Sequence, residues 1–391
     1  AVPIPREKPE VPAQEITIET PLEAFSAKIA RAYETGDFVG LSVAVVKDGR
    51  TVLLRNFGRR SVAGEAPVDG WTRFRIASLS KGFAGSLAGQ LVAEGKLDLN
   101  APISSYAPDF RLAGSVREPV KLEYVLSHRV GLPPFAYDNL LEAGIPVTRI
   151  FERLQKLRPL CRIGECFTYQ NVAFSLVEPA IAHALGKSYA QAVKDRLFDP
   201  LAMPRASIGL ERLTEDDNWA RPHVRNGKKG WRPVEPDRAY YRIPSAGGIN
   251  ASIAGMVSWL KAQMGYAPRV LPDGVRELIH SPRVFTRAEL RKIHWMRERV
   301  KAAYYGLGWR IYDYAGREVI MHNGGLEGYR AQIAFMPEAG LGVVALWNSQ
   351  GDRGWAIMPT LFDAWLGLED PDWLRLDCVG WHNDPAYCPH S

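Results

Sequence analysis

The sequence predicts an α+β fold: one antiparallel sheet assembled from both ends of the chain, flanked by helices, with a mainly helical region inserted between them. Three observations point there. A strand hairpin occupies residues 41–57, strand-like runs return only after residue 300, and the stretch between is dominated by loops and short helical patterns. The chain of 391 residues is 46% hydrophobic and 24% charged, ordinary globular usage that excludes disorder and collagen-like order. Its 35 glycines and 28 prolines favour many turns over a bundle of long helices. Apolar stretches such as Leu341 to Trp347 fall far short of the ~20 residues of a membrane-spanning helix, so no membrane span is expected.

Each element has a local cause. Thr20-Pro21-Leu22-Glu23 reads as a capping box with proline at the first helical position. Leu22, Phe25, Ile29 and Tyr33 then recur at helical spacing, which gives that helix one buried face. Val43, Val45 and Val46 precede Asp48-Gly49, and Val52 and Leu54 follow, the pattern of a tight hairpin. Residues 78–94 read as a helix ending at Gly95, with Gly82, Gly85 and Gly89 along one side. Each glycine costs about 1 kcal/mol relative to alanine in a helix, so close approach of another element is expected there. Late strands are expected at Gly306–Tyr312, Glu318–His322, Tyr329–Phe335 and Leu341–Trp347, then a helix at Trp355–Leu366. The implied organisation is an extended tether at 1–19, a sheet domain from 20–80 and 246–370, a helical domain at 81–245, and a tail at 371–391.

Ala1 in place of methionine, followed by Pro3, Pro5, Pro9 and Pro12, resembles a mature N-terminus after signal-peptide cleavage. Export to the periplasm or outside the cell is therefore expected. Cys161 and Cys166 form one close pair, and Cys378 and Cys388 a second; neither spacing suits a zinc knuckle or a histidine-assisted site. Two local disulfides fit this usage, with unpaired thiols in a reducing compartment as the alternative. The net charge is +6, and a local excess of five basic residues between 281 and 301 supplies most of it. Either a solvated helical insertion or a surface for an anionic polymer accounts for that run, and no nucleic-acid partner is expected.

No cofactor or metal is expected. Gly186-Lys187-Ser188 ends like a phosphate loop but has Ile181 where the leading glycine belongs, and no H-E-x-x-H occurs. A G-x-S-x-G elbow is absent as well. The informative element is Ser78-Leu79-Ser80-Lys81, in which residues three apart on a helix bring a hydroxyl and an amine together. A serine hydroxyl becomes a nucleophile when a neighbouring base takes its proton, and a lysine is that base when burial or nearby positive charge keeps it neutral.

Two further motifs follow in order. Tyr169-Gln170-Asn171 lies 91 residues after Ser78, and His322-Asn323-Gly324-Gly325 ends an expected strand 153 residues later. With Phe74-Arg75-Ile76-Ala77 before the serine, the segment Leu126–Pro133 and Ser245-Ala246-Gly247-Gly248-Ile249, the set resembles the penicillin-recognising serine hydrolases over roughly residues 20–367. That family includes class C β-lactamases, D-Ala-D-Ala carboxypeptidases, D-aminopeptidases and β-lactamase-type esterases. The resemblance implies a β-lactamase or penicillin-binding-protein-like fold, attack by Ser78, and proton traffic shared by Lys81 and Tyr169, either of which is the first base. It further implies substrate contacts from Asn171, His322 and Gly324, and an oxyanion hole from the backbone N–H groups of Ser78 and Gly325. The implied partner is a β-lactam, a D-Ala-D-Ala peptide or an ester. Histidine at 322, where typical class C β-lactamases carry lysine, argues against efficient β-lactamase activity, and a catalytically silent binding module is the reading from another class. The sequence sets no oligomeric state.

Overall fold

The computed structural model describes residues 20–112, 118–227 and 230–377. The expected N-terminal tether lies outside the described residues. So do Cys378 and Cys388: of the two expected disulfides, only the one between Cys161 and Cys166 is described.

The chain opens with helix α1, Pro21–Glu34, and the capping box is formed: the Glu23 N–H donates to Thr20 Oγ1, and the Thr20 N–H to the Glu23 carboxylate. Strands β1, Gly40–Lys47, and β2, Arg50–Gly58, follow as a hairpin. Asp48 and Gly49 both have φ in the left-handed region, +48° and +75°, as a two-residue turn of matching twist requires. Helix α2, Ser80–Ala93, carries the first motif. A long excursion through short helices, including Val177–Leu185 and the Pro244–Gly247 turn, leads to α3, Ile253–Gln263, and α4, Asp273–His280. Strands β3, Val284–Phe285, β4, Val300–Tyr305, β5, Arg310–Tyr314, β6, Arg317–Leu326, β7, Tyr329–Met336, and β8, Leu341–Trp347, complete the sheet, and α5, Ile357–Leu366, follows.

All neighbours in this eight-stranded sheet are antiparallel, in the order β2-β1-β8-β7-β6-β5-β4-β3. The hairpin from the start of the chain therefore pairs with the last strand. Alternation along β1 and β8 feeds two cores. Leu41, Val43, Val45, Val343 and Ala345 face α1 and α5, whereas Ala44, Val46, Val344 and Leu346 share a second cluster with α2, α3 and the helical region. These strands are buried on both faces, which is why they read as near-continuous apolar runs.

Helix α2 runs through the centre of that second cluster, with Ser80 to Leu91 all buried. Its glycines mark close approaches. A side chain at Gly82 would strike Trp309, one at Gly85 the Leu307 carbonyl, and one at Gly89 Ile279 and Val275 of α4.

Two expectations change. Pairing of the run Gly306–Tyr312 begins only at Arg310. Gly306–Trp309 is a loop pressed onto α2: the Gly308 N–H (φ +83°) donates to the Leu126 carbonyl, and the Leu307 carbonyl fills the space over Gly85. The basic run is not simply a solvated helical insertion. It supplies β3, β4 and a one-and-a-half-turn helix at Arg287–Lys292, with Ile293 and Met296 in the core while Arg287, Arg291, Lys292 and Arg297 stay at the surface.

Candidate active site

Ser78 sits on a single 3₁₀ turn, Ala77–Leu79, that leads into α2. The Ile76 N–H donates to the Ile249 carbonyl, and Ser80 Oγ accepts from the Ile249 N–H, so the turn is fastened on both sides of the serine. Ala77 has φ +50°, a left-handed conformation that a residue with a Cβ adopts only where its surroundings impose it. Strand β6 lies directly against this turn. A Cβ at Gly324 would come 2.5 Å from the Ile76 carbonyl and 3.1 Å from the Ser78 nitrogen, so only glycine lets strand and turn touch.

The second motif is held by the segment Leu126–Pro133. His128, itself at φ +57°, accepts the Thr168 N–H on its carbonyl and the Gln170 N–H on Nδ1, and Gln170 Nε2 donates to the Leu132 carbonyl. Just upstream, Cys161 and Cys166 are joined by a disulfide. The second expected bridge, Cys378 to Cys388, lies outside the described residues. Tyr169 and Asn171 are thereby delivered to the floor of a cleft of about 430 Å³ whose lining includes Ser78, Phe135, Asp138, Tyr169, Asn171, Tyr240, Glu289, Arg310 and Gly325.

Lys81 is wholly buried and makes three contacts from Nζ: 3.2 Å to Ser78 Oγ, 2.7 Å to Asn171 Oδ1 and 2.8 Å to the Ala246 carbonyl. Burial holds its amine well below the ordinary lysine range. Nearby Asp138 opposes that shift and Arg310 adds to it. In the neutral amine, two hydrogens would serve the two carbonyl-type acceptors and leave the lone pair for the serine hydroxyl. Asn171 in turn donates from Nδ2 to Asp138 Oδ2 at 2.6 Å. Burial pushes Asp138 up to about 6, with the Asn171 hydrogen bond and Lys81 pulling the other way.

Tyr169 is pushed above the ordinary phenol range by burial, against the pull of Arg310 and a hydrogen bond with Ser78. The Lys81 amine stands 4.7 Å from its ring centroid and the Arg310 guanidinium 5.3 Å. Arg310 Nη1 lies 2.9 Å from Glu289 Oε2, an ion pair whose angle falls short of a hydrogen bond. Burial alone would pull the guanidinium down, but Glu289 and the neighbouring phenols more than offset it and keep it charged.

His322 does not reach the cleft. It is 1% exposed, its Nδ1 lies 2.7 Å from the Asn323 carbonyl, and its Nε2 lies 3.0 Å from the Tyr305 hydroxyl. A carbonyl only accepts, so Nδ1 carries the hydrogen and Nε2 accepts from Tyr305. Burial, then Arg310 and Lys81, hold this imidazole well below its usual range, and it is neutral. The side chain at 322 thus stands outside the cleft lining, which carries Arg310, twelve residues earlier, and Lys292.

The structure brings Ser78, Lys81, Tyr169, Asn171 and Gly325 to one cleft and packs Gly324 against its floor. Sequence reasoning missed Arg310, Glu289, Asp138 and Tyr240. Among the described residues no group of three or more His, Cys, Asp or Glu is arranged to hold a metal.

A beta-lactamase family model matches residues 25–361. The chain belongs to the beta-lactamase family. Among relatives of this family member are an unguisins hydrolase of Aspergillus campestris, 26% identical over 92% of this chain and 68% of its own length, and a beta-lactamase of Escherichia coli, 22% identical over 82% of this chain and 89% of its own. The Staphylococcus aureus protein flp is 23% identical over 81% of this chain, which spans only 60% of that relative's length. Among solved structures, an octameric penicillin-binding protein homologue from Pyrococcus abyssi superposes with a TM-score of 0.78 at 25% identity, covering 90% of this chain and 79% of its own. The mixed fold with its antiparallel sheet is accordingly the beta-lactamase and penicillin-binding-protein fold.

Proposed function

We propose that this family member is a serine hydrolase working through an acyl-serine on D-Ala-D-Ala-type peptides or β-lactams. The observation that carries the reading is the contact geometry at Lys81: a buried amine 3.2 Å from Ser78 Oγ whose two other contacts, Asn171 Oδ1 and the Ala246 carbonyl, are acceptors. Lys81 takes the serine proton as Oγ attacks the carbonyl, and Tyr169, kept protonated by burial, passes a proton toward the leaving group. The N–H groups of Ser78 and Gly325 form the oxyanion hole, where losing one donor typically costs about 3–4 kcal/mol. Asn171 spends one amide hydrogen on Asp138 and has a second for the substrate's acyl-side carbonyl, and Gly324 lets the substrate lie along β6.

Arg310 favours a carboxylate-bearing substrate over a neutral ester, because a permanently charged guanidinium on the cleft wall matches a terminal carboxylate. The Cys161–Cys166 disulfide supports export to an oxidising compartment, and thiol titration of the isolated, unreduced protein that found those two thiols free would refute it. The test of the activity is intact-mass analysis with benzylpenicillin, followed by digestion to map the adduct. The reading expects a penicilloyl group on Ser78 that is absent in Ser78→Ala. Rapid turnover of p-nitrophenyl butyrate with no β-lactam adduct would move the assignment to a carboxylesterase.

A further inference from the structure

We propose that Asp138 and Glu142 form a subsite for an ammonium group on the acyl side of the substrate; the inference rests on the acyl-serine reading above. Asp138 is 9% exposed, yet it lines the cleft. Its Oδ2 is engaged by Asn171 Nδ2 and lies 3.4 Å from the Tyr240 hydroxyl, while its Oδ1 is buried with no hydrogen-bond partner among the described residues. Glu142, one helical turn further on in the helix Asp138–Glu142, also lines the cleft and takes the Tyr240 hydroxyl at 3.2 Å.

Neither carboxylate makes an ion pair among the described residues. Lys81 directs its contacts to Ser78, Asn171 and Ala246, and Arg310 directs its charge to Glu289. Orienting Asn171 would require only one acceptor oxygen, which a neutral amide supplies with far less desolvation. A buried carboxylate with an unmatched oxygen, beside a second unpaired carboxylate, is instead the complement of a small cation with several N–H donors. A primary ammonium meets that description, with three hydrogens to share among Asp138 Oδ1, Glu142 and a water-facing side.

The cleft lining then carries two kinds of charge: the carboxylates of Asp138 and Glu142, which make no ion pair among the described residues, and the cations Lys292 and Arg310, the latter paired with Glu289 of the same lining. A substrate carrying a free amine on its acyl part and a carboxylate on its leaving part suits both. An N-acylated one suits only the second.

The experiment compares the p-nitrobenzyl esters of D- and L-alanine, each with a free and an acetylated amine, in the wild type, Asp138→Asn and Glu142→Gln. Fluorophosphonate labelling of Ser78 is measured in parallel. For the wild type, kcat/KM for at least one enantiomer is expected to favour the free amine by about tenfold or more. Each variant is expected to shrink that preference, mainly through KM for the free-amine ester. Glu142 is exposed, so its variant carries the test even if Asp138→Asn fails to fold. Equal rates for free and acetylated esters in the wild type, or an equal fall for both in the variants, would overturn the subsite while labelled Ser78 leaves the hydrolase reading standing. An unlabelled Ser78 would overturn both.

Discussion

Two basic side chains lie against the ring of Tyr169, and they are built for opposite tasks. Lys81, on α2, is wholly buried and touches no carboxylate, so its charged form is disfavoured and its amine is free to accept a proton. Arg310, on β5, is almost as buried but is paired with Glu289, so its charge is fixed. The contrast teaches that burial does not set protonation by itself. What differs is whether a counter-charge is in contact: without one, burial favours the neutral amine of Lys81 despite nearby Asp138, and with Glu289 in contact Arg310 keeps its charge.

The largest effect should come from breaking the first half of that comparison. Lys81→Met keeps the length and burial but removes the lone pair facing Ser78, and hydrolysis is expected to fall by roughly 10²–10⁴-fold, as for loss of a general base. In the wild type, kcat/KM should rise with pH as Lys81 loses its proton, with a midpoint well below the ordinary lysine value of 10.5. A stopped-flow or initial-rate profile from acid to alkaline pH checks this; a profile identical in Lys81→Met would remove the lysine from the chemistry.

Arg310→Met probes the fixed charge and is expected to act selectively. Carboxylate-bearing substrates should lose about tenfold or more in kcat/KM, mostly through KM, while neutral esters change less. Paired kinetics on a carboxylated and an uncharged ester measure the difference, and an equal loss on both would reduce Arg310 to a structural role.

The smallest effect concerns the cradle behind Lys81. Partly buried Glu178 accepts the N–H and the hydroxyl of Ser245, next to the Ala246 carbonyl that takes the Lys81 amine. Burial raises Glu178 from 4.5 to about 7, so the native state holds its proton more tightly than the unfolded chain. Its contribution to stability is therefore fully present below about pH 4.5 and is lost as pH rises through about 7, by an amount of order 3 kcal/mol at most. Glu178→Gln, which mimics the protonated form, should narrow the gap between urea midpoints at about pH 5 and about pH 8, on either side of that titration. An unchanged gap would show that Glu178 does not titrate with unfolding.

The same contrast explains what was legible in the sequence. Ser78 and Lys81 are three residues apart on one helical turn, and Tyr169 and Asn171 share a short motif, so local spacing brings each pair to notice. The sheet was legible where alternation and Asp48-Gly49 punctuate it, and less so at Gly306–Trp309, where strand-compatible glycines instead allow close approach, Gly308 to Lys81 and Gly82 of α2 and Gly306 to Ile279 of α4. Arg310, Glu289 and Asp138 carry no such local signature. They are ordinary charged residues whose meaning depends on which partner the fold gives or denies them, and that pairing crosses 21 residues from Glu289 to Arg310 and 33 from Asp138 to Asn171. His322 shows the converse: a motif position that is easy to find, its imidazole held neutral by burial and hydrogen-bonded to Tyr305 outside the cleft lining.

The most direct measurement is the rate of fluorophosphonate labelling as a function of pH, with the labelled residue mapped by digestion, in the wild type and in Lys81→Met. A single adduct on Ser78 is expected, its rate rising with pH to a plateau reached well below the ordinary lysine pKa, with almost no labelling in Lys81→Met. An adduct on another residue, or labelling of Ser78 in Lys81→Met at the wild-type rate, would contradict it.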